Sequence, residues 1–65
     1  MGKVKTKEIK RLRKEKHMSQ TELAEKAKIG QCFISKIEGG TLEPSIQTLA
    51  RIAKALGTDY KELLK

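Results

Sequence analysis

The chain has one cysteine, one proline, one histidine, one tyrosine, one phenylalanine and no tryptophan in 65 residues. A single cysteine excludes an internal disulfide and favours a reducing compartment. The lone histidine, His17, has no cysteine or carboxylate cluster at metal-ligand spacing beside it. It reads as a loop residue rather than a ligand or base. No apolar run approaches the roughly 18 residues of a membrane span, and no secretory leader is visible. There is no carboxylate dyad and no glycine-rich phosphate loop, so the sequence gives no footing for an enzyme, a metal or a cofactor. The length allows one domain, burying about 60% of its extended surface.

Acidic charge is also scarce. Fifteen Lys and Arg face eight Asp and Glu, for a net charge of +7. Residues 1–17 hold eight basic residues against Glu8 and Glu15, a net of +6, whereas the remainder holds seven basic and six acidic, a net of +1. Such a field suits a polyanionic partner, and it originates in the first helix and its leader.

What is present is a strong pattern from Ser19 to Glu38. Ser19 is suited to cap a helix, and Glu22, three positions on, completes a capping box. Met18 and Leu23 sit where a hydrophobic staple falls. Leu23, Ala24 and Ala27 share a face. Lys28-Ile29-Gly30 interrupts the period. A second helix starts at Gln31 with a buried stripe of Ile34 and Ile37, and Gly39-Gly40 ends it in the left-handed conformation.

On either side the pattern is plainer. Residues 1–5 read as a basic arm, lying along a phosphate backbone or serving as a solubilising tail, and residues 6–65 as the domain. Thr6 caps a helix reaching Lys16, with Glu8 in its first turn and a stripe of Ile9 and Leu12 too narrow for a membrane surface. Pro44 and Ser45 open a fourth helix, buried through Ile46, Leu49, Ile52, Ala53 and Leu56 and ended by Gly57. Thr58 caps a short last helix carrying Tyr60, Leu63 and Leu64. The expected fold is all-α, a compact bundle of five short helices.

The residues Gln20, Leu23, Ala24, Ala27, Ile29, Ile34, Ile37 and Glu38, then Pro44-Ser45 and the run Ile52 to Leu56, resemble the lambda-repressor-like (Xre/Cro) DNA-binding domains. The resemblance covers about Thr6 to Leu64, with a helix-turn-helix formed by helices two and three. It implies double-stranded DNA as the partner, read by a recognition helix from Gln31 to Glu38 lying in the major groove. It also implies a transcriptional regulator of the phage, plasmid or bacterial repressor type, working in the cytoplasm on the nucleoid.

The residues facing away from Ile34 and Ile37 are Gln31, Cys32, Ser35 and Lys36, expected at base edges. Gln31 suits adenine. Lys36 suits guanine or a phosphate. Cys32 can meet a thymine methyl, fill space or act as a redox switch. Phe33 is expected to pack at the helix edge, with sugar or methyl contact as the alternative. By resemblance, Gln20 clamps a phosphate and braces Gln31, and Gly40 and Thr41 offer backbone amides to phosphate. Glu43 stands where a basic residue is more usual and would repel phosphate. Arg13 pairs with Glu38 and is a further phosphate candidate. Lys28 departs from the family, which usually has glycine there in a left-handed turn. A homodimer through Tyr60, Leu63 and Leu64 is expected, with neither membrane nor metal. A protein-interaction or antitoxin-like module on the same fold is the alternative function. It would need a large exposed apolar patch, for which the C-terminus is the only candidate.

Overall fold

The computed structural model of the chain describes residues 4–64. Helix α1 spans Thr6–Glu15, α2 Gln20–Ala27, α3 Gln31–Glu38 and α4 Ile46–Leu56. The expected fifth helix is a single 3-10 turn, Tyr60–Leu63. The reason lies at its two ends. Asp59, not Thr58, is the cap, its carboxylate accepting from the Lys61 amide at 3.0 Å. Leu64 is already extended and pairs antiparallel with Val4. Four residues between those constraints leave room for one tight turn.

That pairing also revises the start of the chain. Val4 is buried, and the Lys5 amide donates to the Leu63 carbonyl at 2.7 Å. The last two residues of the expected arm therefore belong to the fold, while residues 1–3 lie outside the described residues. Lys5, without a side-chain hydrogen bond, occupies the cap position of α1, and Thr6 is already helical. The chain-end pairing does the anchoring expected of a threonine cap.

The other starts follow local chemistry. The Ser19 hydroxyl accepts from the Glu22 amide and the Glu22 carboxylate accepts from the Ser19 amide, both at 3.0 Å. This reciprocal capping box satisfies two of the amides a helix start leaves open. Ser45 caps α4 by accepting from the Thr48 amide at 3.2 Å. Pro44 stands one residue outside that cap rather than in the first turn.

The four α-helices share one way of ending. Each is followed by a residue with positive φ: His17 at 56°, Lys28 at 60°, Gly40 at 79° and Gly57 at 74°. The next amide reaches back five residues: Met18 to Arg13, Ile29 to Ala24, Thr41 to Lys36 and Thr58 to Ala53, at 2.9–3.1 Å. These are Schellman-type closures, which satisfy the last carbonyls of a helix. Gly40, not Gly39, is the left-handed residue after α3, since Gly39 keeps a helical φ of −79°. His17 in this conformation was not foreseen.

The core is aliphatic. Ile9, Leu23, Ile34, Ile37, Leu49, Ile52, Leu56 and Leu63 are fully buried. Helix α3 packs on α2 and α1, whereas α4 packs on α2, α1 and the final turn. Ile46 is 55% exposed and does not belong to the stripe assigned to it. It is the first residue of α4, and the stripe becomes continuous only from Leu49.

Candidate nucleic-acid interface

Helix α3 is eight residues long, too short to be stable alone. It is held by its inner face and its far end. Ile34 and Ile37 insert fully into the core. At the C-terminal end, Arg13 Nε donates to Glu38 Oε2 at 2.7 Å and Arg13 Nη2 donates to Glu38 Oε1 at 3.0 Å. The third guanidinium nitrogen, Nη1, donates to the Met18 carbonyl at 2.8 Å. Side-chain exposure is 10% for Arg13 and 3% for Glu38. A bidentate pair this dry fixes both distance and rotation, so the last turn of α3 is keyed to α1 and to the loop before α2.

Gln20 completes the cluster. Its Nε2 donates to Glu38 Oε1 at 3.2 Å. The glutamine at the start of α2 thus braces the end of α3, not Gln31 at its beginning as the resemblance implied. Its second amide hydrogen is not used in that bond.

With the inner face committed, the outer face is open. Gln31, Cys32, Phe33, Ser35 and Lys36 are all exposed. Phe33 is 53% exposed, so about half of it stays open for the alternative contact with a sugar or methyl. It precedes the buried Ile34 by one position, a 100° step that carries the ring off the core side. Cys32, Phe33, Lys36 and Leu42 frame a shallow apolar hollow of about 190 Å³ on this side.

Three of the expected phosphate donors are already engaged within the fold. Arg13 is buried, and its three nitrogens donate to Glu38 and Met18. It is committed to these contacts and works as the clamp instead. The Gly40 and Thr41 amides are also engaged, donating to Ile37 and Lys36 carbonyls at 3.1 and 2.9 Å. They close α3 rather than await an anion, which leaves the exposed Thr41 hydroxyl as that loop's donor. Leu63 is fully buried, and Tyr60 and Leu64 pack against the same core, so the chain's own interior absorbs most of the expected dimer surface. Among the described residues, no helix is long and apolar enough to cross a membrane, and no group of three His, Cys, Asp or Glu could hold a metal ion.

Comparison with known proteins agrees with this architecture. A helix-turn-helix family model matches residues 9–63. The "ImmF control region 10 kDa protein" of Bacillus phage phi105 is 44% identical over 55 residues, covering 85% of this chain and 61% of that protein. The "Immunity repressor protein" of the same phage is 41% identical, covering 86% of this chain and 39% of that protein. Both relatives are longer: the chain spans less than two thirds of each. Among solved structures, SinR of Bacillus subtilis, titled the master regulator for biofilm formation and solved in complex with DNA, is 38% identical. It superposes with a TM-score of 0.82, covering 86% of this chain and 90% of that one. In the SinR/SinI protein complex the TM-score is 0.88 at 39% identity, covering 94% of this chain and 60% of that one. The chain belongs to the helix-turn-helix family, in its lambda-repressor-like branch, whose members include proteins named HTH-type transcriptional regulators.

Proposed function

We propose that this protein binds double-stranded DNA in a sequence-specific way and represses transcription, with α3 lying in the major groove. The observation that carries the reading is the division of α3. Its inner face and C-terminal end are locked by Ile34, Ile37 and the Arg13–Glu38 pair, while Gln31, Cys32, Phe33, Ser35 and Lys36 stand exposed. A rigid helix presenting short polar and apolar side chains is what base-edge readout requires. That SinR, 38% identical and similar in fold, is solved in complex with DNA supports the DNA-binding reading.

In this reading Gln31 bonds an adenine edge and Lys36 a guanine or a phosphate. Cys32 and Phe33 touch thymine methyls or sugars, and Ser35 sits close to the bases. Gln20 uses its free amide hydrogen on a phosphate, joined by the Thr41 hydroxyl. Two copies bind half-sites about one helical turn, roughly 34 Å, apart. Tyr60 and Leu64, without Leu63, contribute what the C-terminus offers to that dimer. The protein works on the nucleoid in the cytoplasm and carries no catalytic activity.

Fluorescence anisotropy against selected and random duplexes across a salt series tests this. Affinity should fall steeply with salt, and selected sites should bind about 10³-fold more tightly than random ones. Gln31→Ala should cost about 1–3 kcal/mol at one base position, and Gln20→Ala should weaken all sequences alike. Salt-sensitive binding with no sequence preference would overturn the reading.

A further inference from the structure

Four cations from two distant stretches of the sequence meet in one open groove. Lys26 and Lys28 come from the C-terminal end of α2, Arg51 and Lys54 from α4, and Ala27 and Ala55 line it between them. The groove encloses about 570 Å³, within the roughly 300–1,000 Å³ typical of ligand sites. These are four of the seven basic residues that follow His17, in the part of the chain whose net charge is only +1. No carboxylate lines the groove. The ion pairs among the described residues are made by Arg11 and Arg13, not by these four. Lys28, moreover, holds its left-handed φ of 60° where glycine would be less strained. The strained position thus sets a charge, rather than a hydrogen, at the groove's edge.

The groove is lined by other residues than the face offered to DNA, with Lys28 standing three positions before Gln31. It lies where α2 meets α4, whereas α3 packs on α2 and α1. Gln20 is at the opposite end of α2 from Lys28, about 12 Å away at 1.5 Å per residue.

We propose that this groove docks an acidic peptide segment of a partner protein. The Arg51 guanidinium offers a planar fork for a carboxylate, and the three lysines add point charges around it. The alanine methyls give the aliphatic stem of a glutamate an apolar surface to lie on. There is no aromatic ring on which a base could stack and no amide or hydroxyl side chain to read one. Carboxylates on a peptide therefore fit this lining better than a nucleotide or a nucleic acid does. The inference stands whether or not the DNA reading holds.

The test is titration of the isotopically labelled chain with an oligoglutamate peptide, followed by amide chemical shifts. Saturable shifts confined to Lys26–Lys28 and Arg51–Ala55 are expected. The double variant Arg51→Glu/Lys54→Glu, at two exposed positions, should keep the native circular dichroism. It should bind the peptide at least about tenfold more weakly, as expected for reversing charges that face the ligand. Its affinity for duplex DNA should change by less than about threefold at moderate salt. Shifts spread along the lysines of α1, with no loss in the double variant, would reduce the groove to diffuse attraction. Stronger binding of tripolyphosphate at the same amides would make it a phosphate site. Shifts there on adding duplex DNA would assign it to the nucleic-acid face. Each of these outcomes overturns the proposal.

Discussion

The first two helices and the last two end alike but with different residues. After α3 and α4 the left-handed position is filled by Gly40 and Gly57. After α1 and α2 it is filled by His17 and Lys28. The backbone bonds are the same in all four cases, so geometry does not separate the pairs. What separates them is what the neighbourhood asks for. The loop after α1 brings the Met18 carbonyl to Arg13, and the turn after α2 carries a lysine to the basic groove. Aliphatic burial does not separate them either, since Ile9 and Leu23 are as fully buried as Leu49, Ile52 and Leu56. The first two helices hold the left-handed turn with a side chain in place of glycine and bear the backbone strain.

The largest expected effect lies in the clamp that the end of α1 supports. Arg13→Ala leaves Glu38 buried without its charge partner and should cost about 3–5 kcal/mol, read from urea denaturation. It should also unfix α3 and abolish specific DNA binding. A midpoint within error of the parent would show that the clamp is not what holds α3.

Next come the glycines. Gly57→Ala meets only the flexible end of Lys16 and Gly40→Ala meets nothing within 4 Å. Either loss is therefore conformational and should amount to about 1–2 kcal/mol. The converse substitution, Lys28→Gly, should stabilise the fold by about 1 kcal/mol. A lower midpoint for Lys28→Gly would break the comparison at its centre. The same variant should bind oligoglutamate more weakly, so the two readouts should move in opposite directions.

The smallest effect belongs to the other arginine of α1. Arg11 donates to both Glu8 oxygens at 2.7 Å and to Glu15, all on exposed surface. The Arg11 hydrogen bond is the largest cause holding the Glu8 carboxyl below the ordinary glutamate value of 4.5, and the nearby Arg11 and Lys5 charges add to it. A depressed folded value means the contribution is present above the unfolded pKa and lost as pH falls through the folded one. Its pH dependence is thus confined to the acid side of pH 4.5, where the contribution is lost. Solvent screening keeps it small. Arg11→Met should move the Glu8 titration, followed by carboxyl NMR, up toward the ordinary value. The denaturation midpoint at neutral pH should fall only slightly. An unchanged Glu8 titration would show that the pair is not formed in solution.

Much of this was legible because it is local. A capping box needs a serine and a glutamate three apart, and Ser19 and Glu22 make it. Ile34 and Ile37 declared the inner face of α3 by their spacing, and with it the exposed set Gln31, Cys32, Ser35 and Lys36. The mismatch of Lys28 with its turn was also visible, because a left-handed helix end penalises any side chain. Less legible were features depending on competition between local and distant partners. Thr6 looked like a cap, yet the strand-like pairing of Val4 with Leu64 anchors the helix start instead. Ile46 looked buried because periodicity reports a face, not where that face stops meeting a neighbour.

The sequence by itself determined four α-helices, their order and the face each turns inward, since these follow from spacing, capping groups and turn residues within a few positions. The tertiary structure alone decided that the last segment is a 3-10 turn tied to the chain start. It alone decided that Arg13 is withdrawn from solvent, that Gln20 braces Glu38, and that Lys26, Lys28, Arg51 and Lys54 share one groove. The physical reason is common to all of them. Burial and long-range charge contacts depend on which helix surfaces pack together, and no short window of residues contains that information.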